Sequence, residues 1–519
     1  MVRTQPAPLS PFPALGLALL ALAAGACRPP GAADGSAPEP LPAGSNVLLI
    51  TVDTLRADRL GSYGYARATS PHLDRLAAEG VRFAEPIVQW PKTGPSFASM
   101  FTATYPKDNG IVRRIGQPLP CRFRMLAEEL RDAGYQTHAV VANGALAADF
   151  YFDQGFDTYL EGWKVEPAEE GLDPIGAEQI TRLAVGLLER IRAGETPFFL
   201  WVHYVDPHFP YTPPGEWAER FQGDGLASTD RTIEVTDRPK QQMRGIGPDR
   251  VLDGRDDLAF YRARYDAEIA YNDHWIGELL AAAGERGLME RTLTVVTSDH
   301  GESLGEHEYY FDHGRFGFET CLRVPLILHY PGVLAPGVDP APVELLHLAP
   351  TLLEAAGVEL TEGAWMQGRT LTPRLRAAGG GPVAAAGVPA GVEAGVEPAA
   401  APGAPIAFAE AGWEAHNKWQ KIARGGRYKL IYAQTRPEQQ WIGGPGVRFA
   451  LYDLAADPGE TVNVADERPE VLAELQRELS AWERAERFPV AVEPAAAVCG
   501  DERAMEEETR AVLEALGYL

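Results

Sequence analysis

Four apolar runs in this chain are each followed directly by a polar residue of a type that binds metals or takes part in catalysis. The runs and the residues after them are Asn46–Val52 before Asp53, Thr137–Ala142 before Asn143, Phe198–Val205 before Asp206, and Leu293–Ser298 before Asp299 and His300. Apolar, β-branched runs separated by helical stretches indicate buried strands of a largely parallel sheet, whose ligands collect beyond the carboxyl ends of the strands. Asp53 and Asp299 are therefore expected to share one pocket although about 250 positions separate them.

The polar residues at two of these strand ends form a predicted metal site. Asp53, Asp299 and His300 offer two carboxylate oxygens and an imidazole nitrogen, a set suited to a divalent cation such as zinc or manganese. The pairing predicts a single divalent ion bound between two distant parts of the chain.

Thr93 is the candidate nucleophile. It lies in the segment Pro91–Ser99 (PKTGPSFAS), just ahead of an apolar helix whose N-terminus favours anions. A threonine hydroxyl is a poor nucleophile unless a base or a metal stabilises its alkoxide, and the predicted ion would do so. The structural alternative, a simple N-terminal turn of the helix, is weakened by the accompanying ligand set.

Composition limits the partners. The 519 residues carry 47 basic and 72 acidic side chains, a formal net charge of -25, which argues against nucleic acid or an anionic lipid surface as the main partner. An anionic substrate would therefore need a local metal or a local cationic pocket.

The order of segments predicts an exported protein in several parts. The apolar stretch 15–24, followed by Gly25, Ala26 and Cys27, resembles a signal peptide with a lipoprotein cleavage box. We predict a signal peptide over 1–27, a spacer over 28–44, a catalytic domain over 45–376, an Ala/Gly/Pro linker over 377–405 and a C-terminal α+β subdomain over 406–519. The expected location is the cell envelope, where a lipid anchor holds the protein facing the periplasm or the exterior.

Cys121, Cys321 and Cys499 allow at most one disulfide among them.

Further elements are predicted by periodicity and by helix-start signals. Helices are expected from Pro71 to Gly80 and over 124–133, 177–193, 261–283, 345–356 and 469–485; strands are expected over 324–330, 421–432 and 449–454. The polar segment 215–255, which Gly and Pro interrupt, is expected either to pass over the rim of the site or to be a surface loop.

Several blocks resemble the sulfatase family of the alkaline phosphatase superfamily. They are 47–65 (VLLITVDTLRADRLGSYGY), 93–105, 203–210 (HYVDPHFP), 297–314 (TSDHGESLGEHEYYFDHG) and 451–463. The resemblance implies an alkaline-phosphatase-like α/β sandwich with a largely parallel sheet and a small C-terminal subdomain. It also implies a metal-dependent esterase acting on sulfate or phosphate esters, with zinc, manganese or calcium as the ion.

The departures from the family pattern concern the nucleophile and its neighbours. Sulfatases carry Cys or Ser at the position of Thr93 and oxidise it to formylglycine, and they carry Arg where Phe97 stands here. The first strand is followed by Asp53 and Thr54 rather than by two aspartates. These changes resemble the threonine branch of the superfamily, which includes phosphodiesterases and phosphoethanolamine transferases.

The resemblance implies roles for further residues. His208 and His313 are expected to contact the transferred oxyanion or to protonate the leaving group. Asp206 is expected to bind substrate, support His208 or bind a second metal. Lys92 either binds the substrate anion or is a solvated loop lysine, Asn143 either contacts substrate or forms a turn, and His203 is expected to be a core residue.

Three functions remain open from the sequence. The first is an exported metal-dependent hydrolase or transferase of phosphate or sulfate esters that forms a Thr93 ester, with phosphoryl chemistry favoured. The second is a sulfuric ester hydrolase that acts without formylglycine. The third is an inactive lipoprotein that binds an anionic envelope polymer, which Phe97 and Asn109 favour because the family usually has other residues there. The expected partner is a small anionic ester or an envelope glycan or lipid.

Overall fold

The described part of the chain forms an α/β sandwich beside a small antiparallel sheet. The computed structural model describes residues 41–112, 115–167, 169, 171–191, 196–223, 231–237, 243–359, 366–378, 405–413, 418–433, 447–485 and 503–519. The predicted signal peptide, most of the spacer and most of the linker lie outside these residues. No helix of the described residues is both long enough and apolar enough to cross a membrane.

The central sheet has eight strands, seven of which run in one direction. In chain order the first ten strands are β1 (Asn46–Val52), β2 (Val81–Ile87), β3 (Gln136–Val141), β4 (Thr158–Glu161), β5 (Phe198–Tyr204), β6 (Thr292–Thr297), β7 (Ser303–Leu304), β8 (Tyr310–Asp312), β9 (Leu326–His329) and β10 (Gly337–Glu344). The sheet has the order β10-β2-β9-β6-β1-β5-β3-β4, while β7 and β8 form a separate hairpin. Only β9 runs antiparallel to its neighbours, so the predicted largely parallel sheet is confirmed.

Helices cover both faces of this sheet. The helices are α1 (Pro71–Glu79), α2 (Thr93–Thr102), α3 (Pro106–Asn109), α4 (Leu126–Asp132), α5 (Ala177–Arg190), α6 (Leu258–Glu285), α7 (Glu319–Leu322), α8 (Leu348–Ala356), α9 (Thr372–Ala378), α10 (Pro469–Arg484) and α11 (Glu507–Ala515). In β1, Val47 and Leu49 enter the core that contains α2, whereas Leu48 and Ile50 enter the core that contains α1 and α5. Burial on both faces explains why the central strands are continuously apolar.

The small sheet differs from the prediction at one turn. Its strands are β11 (Ala407–Trp413), β12 (Lys418–Arg424), β13 (Tyr428–Ala433) and β14 (Phe449–Asp453), all antiparallel. The single strand predicted over 421–432 is therefore wrong. The chain turns at Gly425 and Gly426, where the Gly425 N–H donates to the Tyr428 carbonyl over 3.0 Å, because two glycines favour a tight hairpin.

The last described helix packs beside strands β3 and β4 of the large sheet. Helix α10 lies against β12 and β13, but α11 contacts the segments 144–146 and 162–164, which follow β3 and β4 of the large sheet. The end of the predicted 406–519 subdomain thus lies on the larger part of the protein, close to Asn143.

The segment 215–255 runs beside the polar loop that follows β6. The Arg244 N–H donates to the Glu308 carbonyl over 2.7 Å, and Arg250 Nη1 donates to the Phe311 carbonyl over 2.6 Å. The described parts of this segment therefore contact residues 303–312.

Candidate active site

The carboxyl ends of four adjacent parallel strands bring the predicted site together. Strands β6, β1, β5 and β3 are consecutive neighbours in the sheet, and Asp299, Asp53 and Asn143 follow β6, β1 and β3 closely. All three side chains are fully buried. The sequence prediction that residues far apart in the chain share this edge is confirmed.

Asp53, Asp299 and His300 form a compact group of candidate ligands, here called the metal cluster. Their ligand atoms all lie within 4.8 Å of one another, and each residue is 0% exposed. His300 Nε2 lies 3.4 Å from Asp299 Oδ2 and 3.7 Å from Asp53 Oδ1. Asp53 Oδ1 and Asp299 Oδ2 are buried and make no hydrogen bond to a described residue. Two such carboxylate oxygens beside an imidazole nitrogen fit a divalent cation.

The two carboxylates have opposite pKa shifts. Burial and the negative charge of Asp53 raise the pKa of Asp299 to about 6. Burial also acts to raise the pKa of Asp53, but the neighbouring histidines His203, His208 and His300 outweigh it and lower that pKa to about 2. Two carboxylates this close resist double ionisation, and a bound cation would relieve that repulsion.

His300 is oriented so that one nitrogen faces the nucleophile. Its Nδ1 lies 3.0 Å from the Gly301 carbonyl, which fixes that nitrogen as the N–H donor. Nε2 is then an acceptor, and it lies 3.3 Å from Thr93 Oγ1. The predicted neighbourhood of Thr93 and the metal cluster is therefore present.

Thr93 is the first residue of α2, and Lys92 precedes that helix in an extended conformation. Thr93 is 2% exposed and Lys92 is 6% exposed. A solvated loop lysine is therefore the wrong description of Lys92. Its side chain passes over Gly314, where a Cβ atom would lie 2.5 Å from Lys92 Cε. Gly314 has φ +83° and lies next to His313, so its lack of a side chain lets Lys92 lie beside the site.

Both the oxygen and the nitrogen of the Asn143 side-chain amide make hydrogen bonds. Its Oδ1 accepts from the Ala145 N–H over 2.8 Å, which fixes the amide orientation. Its Nδ2 donates to Asp53 Oδ2 over 2.5 Å and to the Tyr518 hydroxyl over 2.9 Å. Asn143 therefore orients a metal-cluster carboxylate, a role that the sequence did not predict, and its predicted substrate contact stays a prediction.

His208 and His313 lie together beside the metal cluster. The His313 ring centroid is 4.1 Å from that of His300 and 5.3 Å from that of His208. His208 Nδ1 lies 2.7 Å from the Phe209 carbonyl, and His313 Nδ1 lies 3.4 Å from the buried Glu302 carboxylate. Both predicted imidazoles therefore lie beside the metal cluster, and their roles at the transferred oxyanion or the leaving group stay predictions.

Asp206 is not part of this group. Its Oδ2 accepts from the N–H of Ala177 over 3.0 Å, at the first residue of α5, and Asn272 donates to its backbone carbonyl. Burial and the charge of Asp173 raise its pKa to about 7. One Asp206 carboxylate oxygen thus satisfies the first N–H of α5. That Asp206 binds substrate, supports His208 or binds a second metal stays a prediction.

Two site residues were missed from the sequence. His203, expected to be a core residue, has Nδ1 3.0 Å from Thr51 Oγ1 and Nε2 3.6 Å from Asp53 Oδ2, so it borders the metal cluster. Tyr518, next to the end of the chain, has its hydroxyl 3.3 Å from Thr93 Oγ1, and no local signal near Tyr518 points to it.

An α/β sandwich with a carboxylate–histidine metal cluster beside a helix-terminal hydroxyl defines the class of alkaline-phosphatase-like ester hydrolases. The Sulfatase family model matches residues 45–358, so the chain belongs to the sulfatase family and is a hydrolase of that family.

The chain is similar to two named sulfatases and to one solved hydrolase structure. The chain is 27% identical over 382 residues to iduronate 2-sulfatase of Mus musculus, covering 60% of this chain and 69% of the relative. It is 26% identical over 467 residues to choline-sulfatase of Rhizobium meliloti, covering 81% and 82%. The solved phosphonate monoester hydrolase of Agrobacterium radiobacter has a TM-score of 0.61 at 23% identity, covering 84% and 96%, which shows the shared fold.

Proposed function

We propose that this protein is an exported, metal-dependent hydrolase or transferase of phosphate or sulfate esters that forms a covalent ester on Thr93, with phosphoryl chemistry favoured. The observation that carries the proposal is the contact between Thr93 Oγ1 and His300 Nε2, 3.3 Å apart, beside two buried carboxylates. A divalent ion held by Asp53, Asp299, His300 and Thr93 would lower the pKa of the hydroxyl and neutralise charge on the ester oxygens. Zinc or manganese fits the imidazole better than calcium, which prefers oxygen ligands.

The residues support a two-step displacement. Thr93 Oγ gives up its proton to solvent and attacks the central phosphorus or sulfur, the bond to the alcohol oxygen breaks, and His208 or His313 gives that oxygen a proton. Water, or an acceptor alcohol in a transferase, then attacks the same central atom and gives its proton to the same imidazole. The bond to Thr93 Oγ breaks, and Thr93 Oγ takes a proton from solvent, which restores the threonine hydroxyl.

Threonine favours phosphoryl over sulfuryl transfer for a chemical reason. A formylglycine hydrate can expel sulfate by breaking its own C–O bond, but a threonine ester must be cleared by a second attack at the central atom. In-line attack of this kind is well suited to phosphoryl groups. The phosphonate monoester hydrolase that shares this fold supports the same preference.

A second candidate is a sulfuric ester hydrolase that acts without formylglycine, and the names of both sulfatase relatives favour it. The third candidate, an inactive lipoprotein that binds an envelope polymer, is supported by Phe97. This residue is 0% exposed and packs 5.0 Å from the Trp201 ring and 5.1 Å from the His203 ring, where the family has a cation.

Export and lipid anchoring rest on the sequence before residue 28. A disulfide at Cys121 supports an oxidising compartment, whereas Cys321 is a free, buried thiol. The proposed substrate is therefore a small anionic ester or an envelope glycan or lipid.

The test is covalent trapping. Protein loaded with zinc or manganese is mixed with an aryl phosphodiester, an aryl phosphonate monoester, an aryl phosphate and an aryl sulfate, then quenched in acid and mapped by mass spectrometry. We expect the adduct on Thr93, turnover of the phosphorus esters above that of the sulfate, and neither in Thr93→Ala. Faster turnover of the sulfate would favour the second candidate. Turnover that survives in Thr93→Ala would refute the Thr93 intermediate, and a metal-loaded wild type inert towards all four esters would favour the third candidate.

A further inference from the structure

The penultimate residue of the chain lies in the active site. The Tyr518 hydroxyl is 3.3 Å from Thr93 Oγ1 and accepts from Asn143 Nδ2 over 2.9 Å. Its ring lies against the ring of His208, with centroids 5.1 Å apart and an interplanar angle of 34°. Three residues of the predicted site therefore contact one side chain from the far end of the chain.

The segment that carries Tyr518 is firmly attached. Val512, Leu513 and Leu516 of the C-terminal segment are 7%, 0% and 6% exposed. A Cβ atom at Gly144 would lie 2.6 Å from Val512 Cγ1, so the glycine directly after Asn143 makes room for α11. Helix α11 therefore packs directly against the backbone next to Asn143.

Polar contacts hold the start of the same segment. Arg503 Nη1 donates to the Ala148 carbonyl over 2.5 Å and to Asp153 Oδ1 over 2.7 Å. The Glu506 N–H donates to Asp149 Oδ2 over 3.0 Å, and the Glu506 carboxylate pairs with Lys164. Anchoring of this extent is typical of a permanent wall of a site rather than of a removable plug.

The hydrogen bonds limit where the phenol proton can point. Because the Asn143 amide orientation is fixed by Ala145, Nδ2 is the donor and the Tyr518 oxygen is the acceptor. The phenol proton is then free to be donated towards Thr93 Oγ1, 3.3 Å away. A tetrahedral group bonded to Thr93 would place a non-bridging oxygen in this region.

We propose that Tyr518 is a substrate-contacting residue of this enzyme. Its hydroxyl donates a hydrogen bond to a non-bridging oxygen of the ester group during transfer to and from Thr93, and the phenol stays neutral throughout. This proposal rests on the proposed function, and it deepens it by adding a donor that the segment after α11 supplies. Donors of this kind stabilise the charge that develops in the transition state.

Tyr518→Phe in the full-length chain is the test, because it removes one oxygen and keeps the ring on His208. Tyr159→Phe is the matched control: it removes a buried hydroxyl that donates to the Leu146 carbonyl over 2.6 Å, on the segment beside α11. We expect Tyr518→Phe to lower kcat about 100-fold with little change in KM. We also expect an unchanged melting temperature and weaker binding of inorganic vanadate by about the same factor in calorimetry. Tyr159→Phe should match the wild type in all four quantities.

Tyr518→Ala distinguishes a donor from a plug. A donor predicts that this variant is at least as slow as Tyr518→Phe, whereas a plug predicts that it is faster than the wild type. A Tyr518→Phe rate and vanadate affinity within twofold of the wild type, or a faster Tyr518→Ala, would overturn the proposal. Vanadate binding needs no turnover, so it decides the role of Tyr518 even if Thr93→Ala shows that the proposed intermediate is wrong.

Discussion

Two buried charged clusters in this protein differ in the side chains that face their carboxylates. The first, here called the Lys429 cluster, consists of Arg424, Lys429, Glu319 and Glu460. Lys429 Nζ lies 3.1 Å from Glu319 Oε1 and 2.7 Å from Glu460 Oε1. The second is the metal cluster, whose two carboxylates lie 3.4–3.7 Å from imidazole nitrogens of His203 and His300.

Each cluster holds one carboxylate whose pKa is lowered and one whose pKa is raised, since burial raises the pKa of Glu460 to about 7 despite Lys429. The clusters differ in the groups that stabilise the ionised carboxylate. Burial acts to raise the pKa of Glu319, but the cations Lys429 and Arg424 lower it to about 2. Burial raises the pKa of Asp299 to about 6, and the nearby Asp53 charge adds to the shift. A buried carboxylate that has its own lysine ties β13 of the small sheet to helix α7, whereas a buried pair that shares histidines fits an added cation.

The largest expected effect is a loss of activity in a variant of the metal cluster but not in a variant of the Lys429 cluster. Asp299→Asn removes a charged ligand of the proposed ion, so we expect kcat/KM to fall by about 10³-fold and the bound ion to be lost. Ester turnover and elemental analysis measure the two quantities. Glu319→Gln is the control from the other cluster, and its folded fraction should keep wild-type kcat and ion content. A similar loss of activity in both variants would remove the distinction.

The next effect separates the clusters by stability. Lys429→Met leaves Glu319 and Glu460 buried without their shared cation, so we expect the free energy of unfolding to fall by about 3–5 kcal/mol. Urea unfolding gives this value. Arg182→Ala breaks an exposed pair with Glu178 and should cost less than about 1 kcal/mol. A Lys429→Met variant as stable as Arg182→Ala would show that the Lys429 cluster does not hold the fold.

In metal-free protein, we expect Asp299→Asn to raise the free energy of unfolding rather than lower it. Since its folded pKa is raised from 3.8 to about 6, the protonated carboxyl is tolerated at low pH, and stability is lost as the pH rises through about 6. Asp299→Asn should remove this loss and raise the free energy of unfolding at pH 8 by about 2–3 kcal/mol. Thermal melts of chelator-treated protein between pH 4 and pH 8 test this. An Asp299→Asn variant that melts below the wild type at pH 8 would contradict the repulsion.

His203 should have the smallest effect of the four. It lies 3.6 Å from Asp53 Oδ2, so we expect His203→Gln to weaken zinc affinity by about 10- to 100-fold, as losses of a ligand's supporting contact do. Competition with a chromogenic chelator measures the affinity. His138→Gln, on the neighbouring strand β3, should leave it unchanged. Equal zinc affinities for the two variants would show that His203 is only a core residue, as expected from the sequence.

Much of the fold and the metal cluster could be predicted from the sequence because both depend on local patterns. The apolar runs before Asp53 and Asp299 identify strands, and parallel strands collect their ends at one edge. Asp206 follows the same pattern, but the pattern cannot show that the first N–H of α5 bonds to its carboxylate. Tyr518 was missed because its position depends on tertiary packing of α11 against Gly144, which no periodicity near the end of the chain reveals.

The measurement that tests the central claim most directly is the ion content of purified protein by native mass spectrometry with elemental analysis. The account predicts one divalent ion per chain in the wild type and none in the variant that combines Asp53→Asn with Asp299→Asn. Ester turnover by wild-type protein that carries no ion, and that a strong chelator does not slow, would contradict it.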